Sequence, residues 1–578
     1  MHSLRSRSRW LEVRLTAVVI VGAAALGAGC SEEDAAAAQA TLPTVASITD
    51  CANLTNADVS GAVGAETRIT SASVIRDDAP APYCRVLGEV EPKVRFEVRL
   101  PVSGWTQRFV QTGCGGLCGQ LGIHLDQAAT CVPAQKGELA LASSDMGHSG
   151  GPGAEWGARD YAARIDFAYR GMHVTALAAK ALIETYYGRR PRYSYFAGCS
   201  DGGREALMEA QRYPRDFDGI SAGAPAMNFT TQNTFYHGWN ARTNTDASGR
   251  AILTGDKLPI LHAAAVAQCD TADGLRDGLI SDPLHCHVDL SAVQCRAGQR
   301  PDSCLSAAQV QVAREIYRGA HDSAGAQLVI GGPLPGSELG WAGVLVPEAG
   351  SDRLFGAGIA LGTIKYLASD PNPPESFRLD DFGFDRQSFD ATTGLHGLYD
   401  ATDPDLSAFA AAGGKLLLWH GLADPHISPL NTVAYYAAMQ RLMGAETVDR
   451  FARLFLFPGG SHCGGGEGPM DVDLLTALMG WVERGRAPNV LLASHATGER
   501  RPGAAAGPAD RTRPVYAYPK VARYVGTGSI DSAASFVAGE PTARWPSAFD
   551  WLGASFYTAG YELWCSASGA HFDCRRSR

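Results

Sequence analysis

Between residues 90 and 225 the chain alternates short apolar runs with longer segments of helical period. Val94, Phe96, Val98 and Leu100 alternate with Arg95, Glu97 and Arg99, the period of a strand with one polar face. Residues 108–111 and 138–142 read as further strands. An alanine-rich segment over 170–187 predicts a helix that Gly188 and Pro191 stop. The apolar run 193–197 follows, then a glycine-rich turn, a helix-like segment from 205 to 210 and a strand over 217–221. From 226 to 404 the alternation fades into Gly/Pro turns with scattered aromatics such as Phe235, Tyr236, Trp239 and Trp341. It returns with a strand at 415–419, a helix near 432–443, a strand at 453–457 and a helix near 472–484. Strands alternating with helices predict an α/β fold, and the interruption predicts a domain inserted between two of its strands.

The turn after residues 193–197 reads Gly198-Cys199-Ser200-Asp201-Gly202-Gly203-Arg204. Glycines at both ends of Gly-x-Ser-x-Gly permit the sharp strand-to-helix elbow of an α/β-hydrolase. That elbow lifts a serine hydroxyl to the top of the sheet, at a helix N-terminus that favours an oxyanion. In a chain with 66 glycines the spacing also arises by chance, so the flanking strand and helix give it its meaning. A serine hydroxyl needs a base, and the base an orienting acid. In this fold they follow in the order Ser, acid, His. His462 follows the strand at 453–457, and Asp424 follows the strand at 415–419, in His420-Gly421-Leu422-Ala423-Asp424-Pro425. The bland alternative for Asp424 is an Asx turn before proline, with Asp405 the next candidate acid. His420 and His426 end no later strand and read as pocket-wall or internally bonded histidines.

The first 30 residues carry Arg5, Arg7, Arg9 and Arg14, an apolar run over 15–26 and Gly27-Ala28-Gly29-Cys30, the plan of a bacterial export signal. Small residues before Cys30 point to lipoprotein processing there, and residues 31–45 read as a polar, alanine-rich tether. The expected product is an outer-membrane lipoprotein, periplasmic or extracellular. A net charge of −10 gives no reason to expect nucleic acid or an anionic membrane as partner. Fourteen cysteines behind an export signal argue for disulfides.

A cysteine directly precedes Ser200 and another directly follows His462, so a Cys199–Cys463 bond would tie the two together. This arrangement resembles the tannase and feruloyl esterase family. The similarity extends through Tyr213-Pro214, Phe217-Asp218-Gly219-Ile220, Ala222-Gly223-Ala224-Pro225, His420 to Asp424, Ala452-Arg453-Leu454-Phe455, Trp481-Val482-Glu483-Arg484-Gly485 and Arg511-Thr512-Arg513-Pro514, covering roughly residues 50–540. The resemblance implies an α/β-hydrolase fold at 46–225 and 405–540 with a large inserted lid domain at 226–404, and 541–578 as an extension beyond the family. It also implies the disulfides Cys51–Cys84, Cys199–Cys463, Cys269–Cys286 and Cys295–Cys304. Tyr516 and Ala538 stand where the family's last bridge would be, whereas Cys565 and Cys574 lie close enough in sequence to pair. With Cys30 set aside an odd number remains, so one of Cys114, Cys118 and Cys131 lacks a partner or pairs outside the chain. A zinc site made of those three is the rival reading, but no histidine completes its spacing.

The oxyanion hole needs the amide after the nucleophile, that of Asp201, and one from an earlier strand-to-helix loop. Alignment by eye to the family favours Gly116 in Gly113-Cys114-Gly115-Gly116-Leu117, with Gly115 as rival. His148, in another family motif, reads as packing behind the site. The segment 270–282 spaces carboxylates with glycines, hard oxygen donors that suit calcium, although it lacks the glutamate of an EF-hand. Similarity to the family's lid calcium site implies the side chains of Asp270, Asp273 and Asp277 with the carbonyls of Leu275 and Leu279, in a structural role. The activity implied is that of a secreted serine carboxylic ester hydrolase acting on small aromatic esters, of hydroxycinnamic or gallic acid, through an acyl-enzyme on Ser200. Terephthalate monoesters are the alternative substrates, although Ile427 replaces an aromatic and no arginine to grip a terephthalate is legible. A peptidase would use the same triad, and a non-catalytic calcium-stabilised binding protein of the same fold is the non-enzymatic alternative.

Overall fold

The computed structural model describes residues 39–576 apart from 78, 129, 151–152, 497–508, 542–544 and 570. The proposed signal segment, Cys30 and residues 31–38 lie outside the described residues. Nine strands form one sheet: β1 Thr67–Ile75, β2 Tyr83–Val90, β3 Val94–Pro101, β4 Arg108–Thr112, β5 Ala140–Ser144, β6 Tyr193–Cys199, β7 Gly219–Gly223, β8 Lys415–Gly421 and β9 Ala452–Phe457. Their order is β1-β2-β3-β5-β4-β6-β7-β8-β9. Pairing is antiparallel from β1 to β5 and parallel from β5 to β9.

Successive residues of the parallel strands point to opposite faces, and each face is covered by helices, so the strands read as continuous apolar runs. Phe109, Phe196, Ile220, Leu416, Leu418 and Leu454 join one core with the helices α1, Gly171–Tyr187, and α2, Asp201–Arg212. Val110, Tyr195, Leu417, Trp419 and Phe455 join a second core with Leu474, Leu475, Leu478 and Trp481, mostly from the helix Leu474–Arg484. The side chain of Glu483 in that helix is fully buried and bonded to Arg108 Nε at 2.7 Å and to the Tyr195 hydroxyl at 2.8 Å, tying β4 and β6 to the helix. Removing either partner of this pair leaves an uncompensated buried charge, which costs about 3–5 kcal/mol.

The polar face expected of β3 is only partly exposed. Glu97 is buried because Arg85 and Arg99 reach it at 3.0 and 2.7 Å. The expectation of a flexible tether through residue 45 is also corrected. Ala40 donates to Glu483 Oε2 at 2.7 Å, Gln107 donates to the Pro43 carbonyl, and Val45 donates to the Trp105 carbonyl. Among the described residues, Gln39, itself buried, to Val45 are therefore docked, because these backbone groups find partners on the hydrolase edge.

The lid occupies the chain between β7 and β8 and has its own buried residues, among them Trp341, Leu345 and Ile359. The C-terminal residues beyond 541 do not stand apart. Tyr557 and Trp551 join the main core, the Tyr561 hydroxyl bonds Thr402, and the Leu563 carbonyl accepts from Arg212. A hairpin pairing Leu563–Ser568 with His571–Arg576 and bridged by Cys565–Cys574 closes the chain against Tyr169.

Candidate active site

All three candidate catalytic residues leave the C-terminal ends of parallel strands, the edge at which open α/β sheets bind ligands. Ser200 sits between β6 and α2 with φ +65° and ψ −123°, a strained conformation for a residue with a side chain. The elbow is held by the Ser200 amide donating to the Gly223 carbonyl at 3.0 Å and by the Ser200 carbonyl accepting from Gly203, Arg204 and Ala226. Glycine is needed at 198 because a Cβ there would lie 2.3 Å from the Gly202 carbonyl oxygen. It is needed at 113 because a Cβ would lie 2.5 Å from the Gly202 Cα. The glycine-rich loop and the elbow thus approach backbone to backbone.

Asp424 follows β8 and is fully buried. Its Oδ1 accepts from the amides of His426 and Ile427, and its Oδ2 lies 2.7 Å from His462 Nδ1 and 3.1 Å from His420 Nε2. Burial alone would raise this carboxyl; the His462 charge and the bonds from His420 and His462 overcome it and hold the group well below the usual carboxylate range. His420 is satisfied internally, with Nδ1 on Thr432 Oγ1 at 2.7 Å. His426 packs against His462 with ring centroids 4.5 Å apart and the rings tilted by 30°, and burial lowers its pKa to about 4, so it is neutral at physiological pH. Asp405, the substitute acid, caps its own turn by accepting from the Ser407 amide and is exposed.

Cys199 and Cys463 are disulfide-bonded with Cα atoms 5.8 Å apart, which brings the residues beside them, Ser200 and His462, onto one covalent clamp. Cys51–Cys84, Cys269–Cys286, Cys295–Cys304 and Cys565–Cys574 are also bonded. The open question among the remaining three resolves as a Cys114–Cys118 bridge inside the glycine-rich loop. Cys131 is a free, buried thiol, pushed up to about 12 mainly by burial. A zinc site on these three cysteines is therefore replaced by a disulfide.

The loop that carries Gly116 is braced from two sides. The Cys114 amide donates to Glu205 Oε1 at 3.0 Å, and the Cys118 and Gly119 amides donate to the Gly115 and Asp145 carbonyls at 3.1 and 3.2 Å, so the loop is pinned on both sides of Gly116. His148 Nε2 lies 2.7 Å from the Leu117 carbonyl and its ring stacks on Trp156 at 3.7 Å. Gly116 has φ +63° with open space at its Cβ position, whereas Gly115 shows no such positive φ. The Asp201 carboxylate is held by Arg204, with Nε to Oδ1 at 2.6 Å, leaving the Asp201 amide at the start of α2.

In the acidic loop Asp270 Oδ1 accepts from the amides of Asp277 and Gly278, and Asp273 Oδ1 accepts from Leu275. Gly274 and Gly278, with φ +89° and +81°, turn the chain between them. Asp273, Leu275, Asp277 and Leu279 line one cavity with Arg513 and a largely apolar wall, and Asp270 lies outside that lining, so the loop offers hard oxygen donors of the kind calcium takes without gathering them at one point. Asp277 is shared with Arg513, whose Nη2 lies 2.6 Å from its Oδ2. Among the described residues, the clusters whose ligand atoms all lie within 4.8 Å of one another are elsewhere, at Cys114, Cys118, Asp201 and Glu205 and at His173, Glu209 and Asp216.

Several residues around the site carried no readable sign in the sequence. Gln127 donates to the Cys463 carbonyl, Thr432 orients His420, and the lid's His237, buried and neutral, reaches His426 through Phe355 by edge-on ring contacts of 5.7 and 5.1 Å. Gln127 and His237 are distant in sequence from the residues they support, and Thr432 reaches back twelve residues from the following helix.

The nine-stranded sheet with its elbow and inserted lid defines an α/β-hydrolase. The family model of tannase and feruloyl esterase matches residues 73–538, and the chain belongs to that family of carboxylic ester hydrolases. The mono(2-hydroxyethyl) terephthalate hydrolase of Piscinibacter sakaiensis is 31% identical over 543 residues, covering 81% of this chain and 87% of that protein. A probable feruloyl esterase of Arthroderma benhamiae is 32% identical over 532 residues, covering 84% and 93%. The crystal structure of feruloyl esterase B from Aspergillus oryzae superposes with a TM-score of 0.71 at 26% identity, covering 82% of this chain and 97% of that one.

Proposed function

We propose that this esterase cleaves esters of aromatic acids, of the hydroxycinnamic or gallic type, through an acyl-enzyme on Ser200. The observation that carries the reading is the 2.7 Å contact of His462 Nδ1 with the buried Asp424, on a loop bonded through Cys463 to the residue before Ser200. Asp424 fixes the tautomer in which Nδ1 carries hydrogen, so His462 Nε2 is free to take the Ser200 proton as Oγ attacks the ester carbonyl. The resulting oxyanion is stabilised by the amides of Asp201 and Gly116. His462 then returns the proton to the leaving alcohol, and water hydrolyses the acyl-enzyme by the same route in reverse. The acyl preference draws on the relatives described as feruloyl esterases.

The acidic loop would hold a calcium ion through Asp270, Asp273 and Asp277 and the carbonyls of Leu275 and Leu279, supplying cross-linking of the lid and no reacting group. Export and lipidation at Cys30 would place the enzyme at the outer membrane, in the periplasm or outside the cell. Hydrolysis of p-nitrophenyl acetate that is lost in Ser200→Ala supports the mechanism. A panel of methyl ferulate, propyl gallate and a terephthalate monoester tests the substrate, and a preference for the terephthalate ester overturns the acyl assignment.

A further inference from the structure

His462 stands in a tight loop after β9. The Ser461 amide donates to the Gly465 carbonyl at 3.0 Å, the Gly468 amide donates to the Gly459 carbonyl, and Gly460 pairs with Gly466. The Cys463 disulfide, Gln127 donating to the Cys463 carbonyl, His462 Nδ1 on Asp424 and the Ala423 amide donating to the Gly460 carbonyl at 2.8 Å hold this loop to the hydrolase domain. A further anchor comes from the lid. Glu467, directly after the Gly460–Gly466 closure, places Oε2 2.8 Å from Nε2 of His262 on the lid helix Leu258–Cys269. The other ring nitrogen of His262, Nδ1, lies 2.8 Å from Oε2 of the fully buried Glu338. Glu338 Oε1 accepts in turn from the Gly336 amide and the Tyr317 hydroxyl, so the inner end of the strut is fixed within the lid.

We propose that His262 and Glu467 are positioning residues for catalysis, an ionic strut through which the lid sets the loop that carries His462. Both ring nitrogens of His262 face carboxylates, so both must carry hydrogen and the ring must be the imidazolium. Against the cost of burial, the bonds to Glu338 and Glu467 raise its pKa to about 9. The charged or titratable groups facing it are Glu338 and Glu467, with Tyr317 behind Glu338; the adjoining Val266, Leu279, Ile280, Pro335, Leu422 and Ala423 are uncharged. The raised pKa means that the imidazolium of the strut is present at neutral pH and is lost as pH rises through about 9, when one nitrogen turns a lone pair toward a carboxylate. Because proton transfer depends steeply on placement, loosening the His462 loop acts on turnover more than on substrate binding.

This inference rests on His462 as the base, so His462→Ala is measured alongside. Glu467 is half-exposed on its side chain, so Glu467→Gln removes the charge with little risk to folding, which circular dichroism and the melting temperature verify. Expected in Glu467→Gln and in His262→Gln is a kcat about ten- to a hundred-fold lower with KM nearly unchanged. The double variant should be no worse than His262→Gln alone, because Glu467→Gln removes a contact that His262→Gln has already broken, whereas His262→Gln also breaks the bond to Glu338. The wild-type enzyme should lose kcat above about pH 9, after subtraction of spontaneous hydrolysis, and Glu467→Gln should lack that alkaline limb. A wild-type kcat and an unchanged alkaline limb in a folded Glu467→Gln enzyme overturn the strut. Full activity in His462→Ala instead overturns the assignment of the base itself.

Discussion

Cys199 and Cys463 are 264 residues apart in sequence and 5.8 Å apart between Cα atoms, and each is the immediate neighbour of a candidate catalytic residue. Cys463 adopts φ +59°, and Ser200, the residue after Cys199, adopts φ +65°, so the bond joins the end of β6 beside one positive-φ residue to another. Opening a loop of this length costs up to about 5 kcal/mol by chain entropy. Replacing both cysteines by serine should lower the melting temperature, and at temperatures where the variant is fully folded kcat should still fall at least about ten-fold, because the seryl and histidyl loops lose their shared anchor. A folded double variant with wild-type kcat would make the bridge purely structural.

Ser200→Ala, His462→Ala and Asp424→Asn should each reduce kcat by about a thousand-fold or more without unfolding the protein. Asp424→Asn has a further signature. The native carboxyl is held well below its ordinary pKa, so it contributes stability above that ordinary value and loses it as pH falls toward the depressed one. The asparagine variant should therefore lose melting temperature at neutral pH and converge toward wild type in acid. Near-full activity in Asp424→Asn would move the search for the acid elsewhere.

Glu205 lies beneath the oxyanion loop, accepting from the Cys114 amide, and is pushed up to about 8, first by burial and then by the charge of Asp201. The native state keeps this proton while an unfolded chain releases it near 4.5, so stability falls as pH rises from there to about 8. Glu205→Gln keeps an acceptor for Cys114 and abolishes the titration. Its melting temperature relative to wild type should climb across that window, with activity retained; parallel curves from pH 5 to pH 8 in differential scanning fluorimetry would show that Glu205 does not titrate there.

A calcium ion bound by the native state alone would add stability by mass action, about 4 kcal/mol at a thousand times its Kd. Chelation should lower the melting temperature by several degrees while activity persists below the transition, and Asp273→Ala should abolish the effect. An unchanged melting curve together with no metal by elemental analysis would remove the site.

The sequence was most informative where chemistry is local. The elbow at Ser200 is legible because a strained turn demands glycines at fixed positions, and Gly198 is needed for a close approach to Gly202 only four residues on; that Gly202 must also admit the backbone of Gly113 is a long-range contact. The strands leading to Asp424 and His462 are legible because a sheet covered on both faces demands unbroken apolar runs such as Leu416-Leu417-Leu418. The pairing of Cys114 with Cys118 was left open, since spacing alone does not choose among three nearby thiols; burial of Cys131 away from the other two decides it.

By itself, then, the chain determined the α/β order, the inserted lid and the elbow, all of which follow from periodicity and backbone sterics over short spans. Only the tertiary structure decided which polar groups meet across it. His262 reaches Glu467 from a helix about two hundred positions earlier, Arg108 finds Glu483 across the sheet, and Gln39 to Val45 dock where a tether was expected. A buried polar group must find a partner, but any complementary group at the right distance will serve, and nothing in the local sequence says which one folding will bring there.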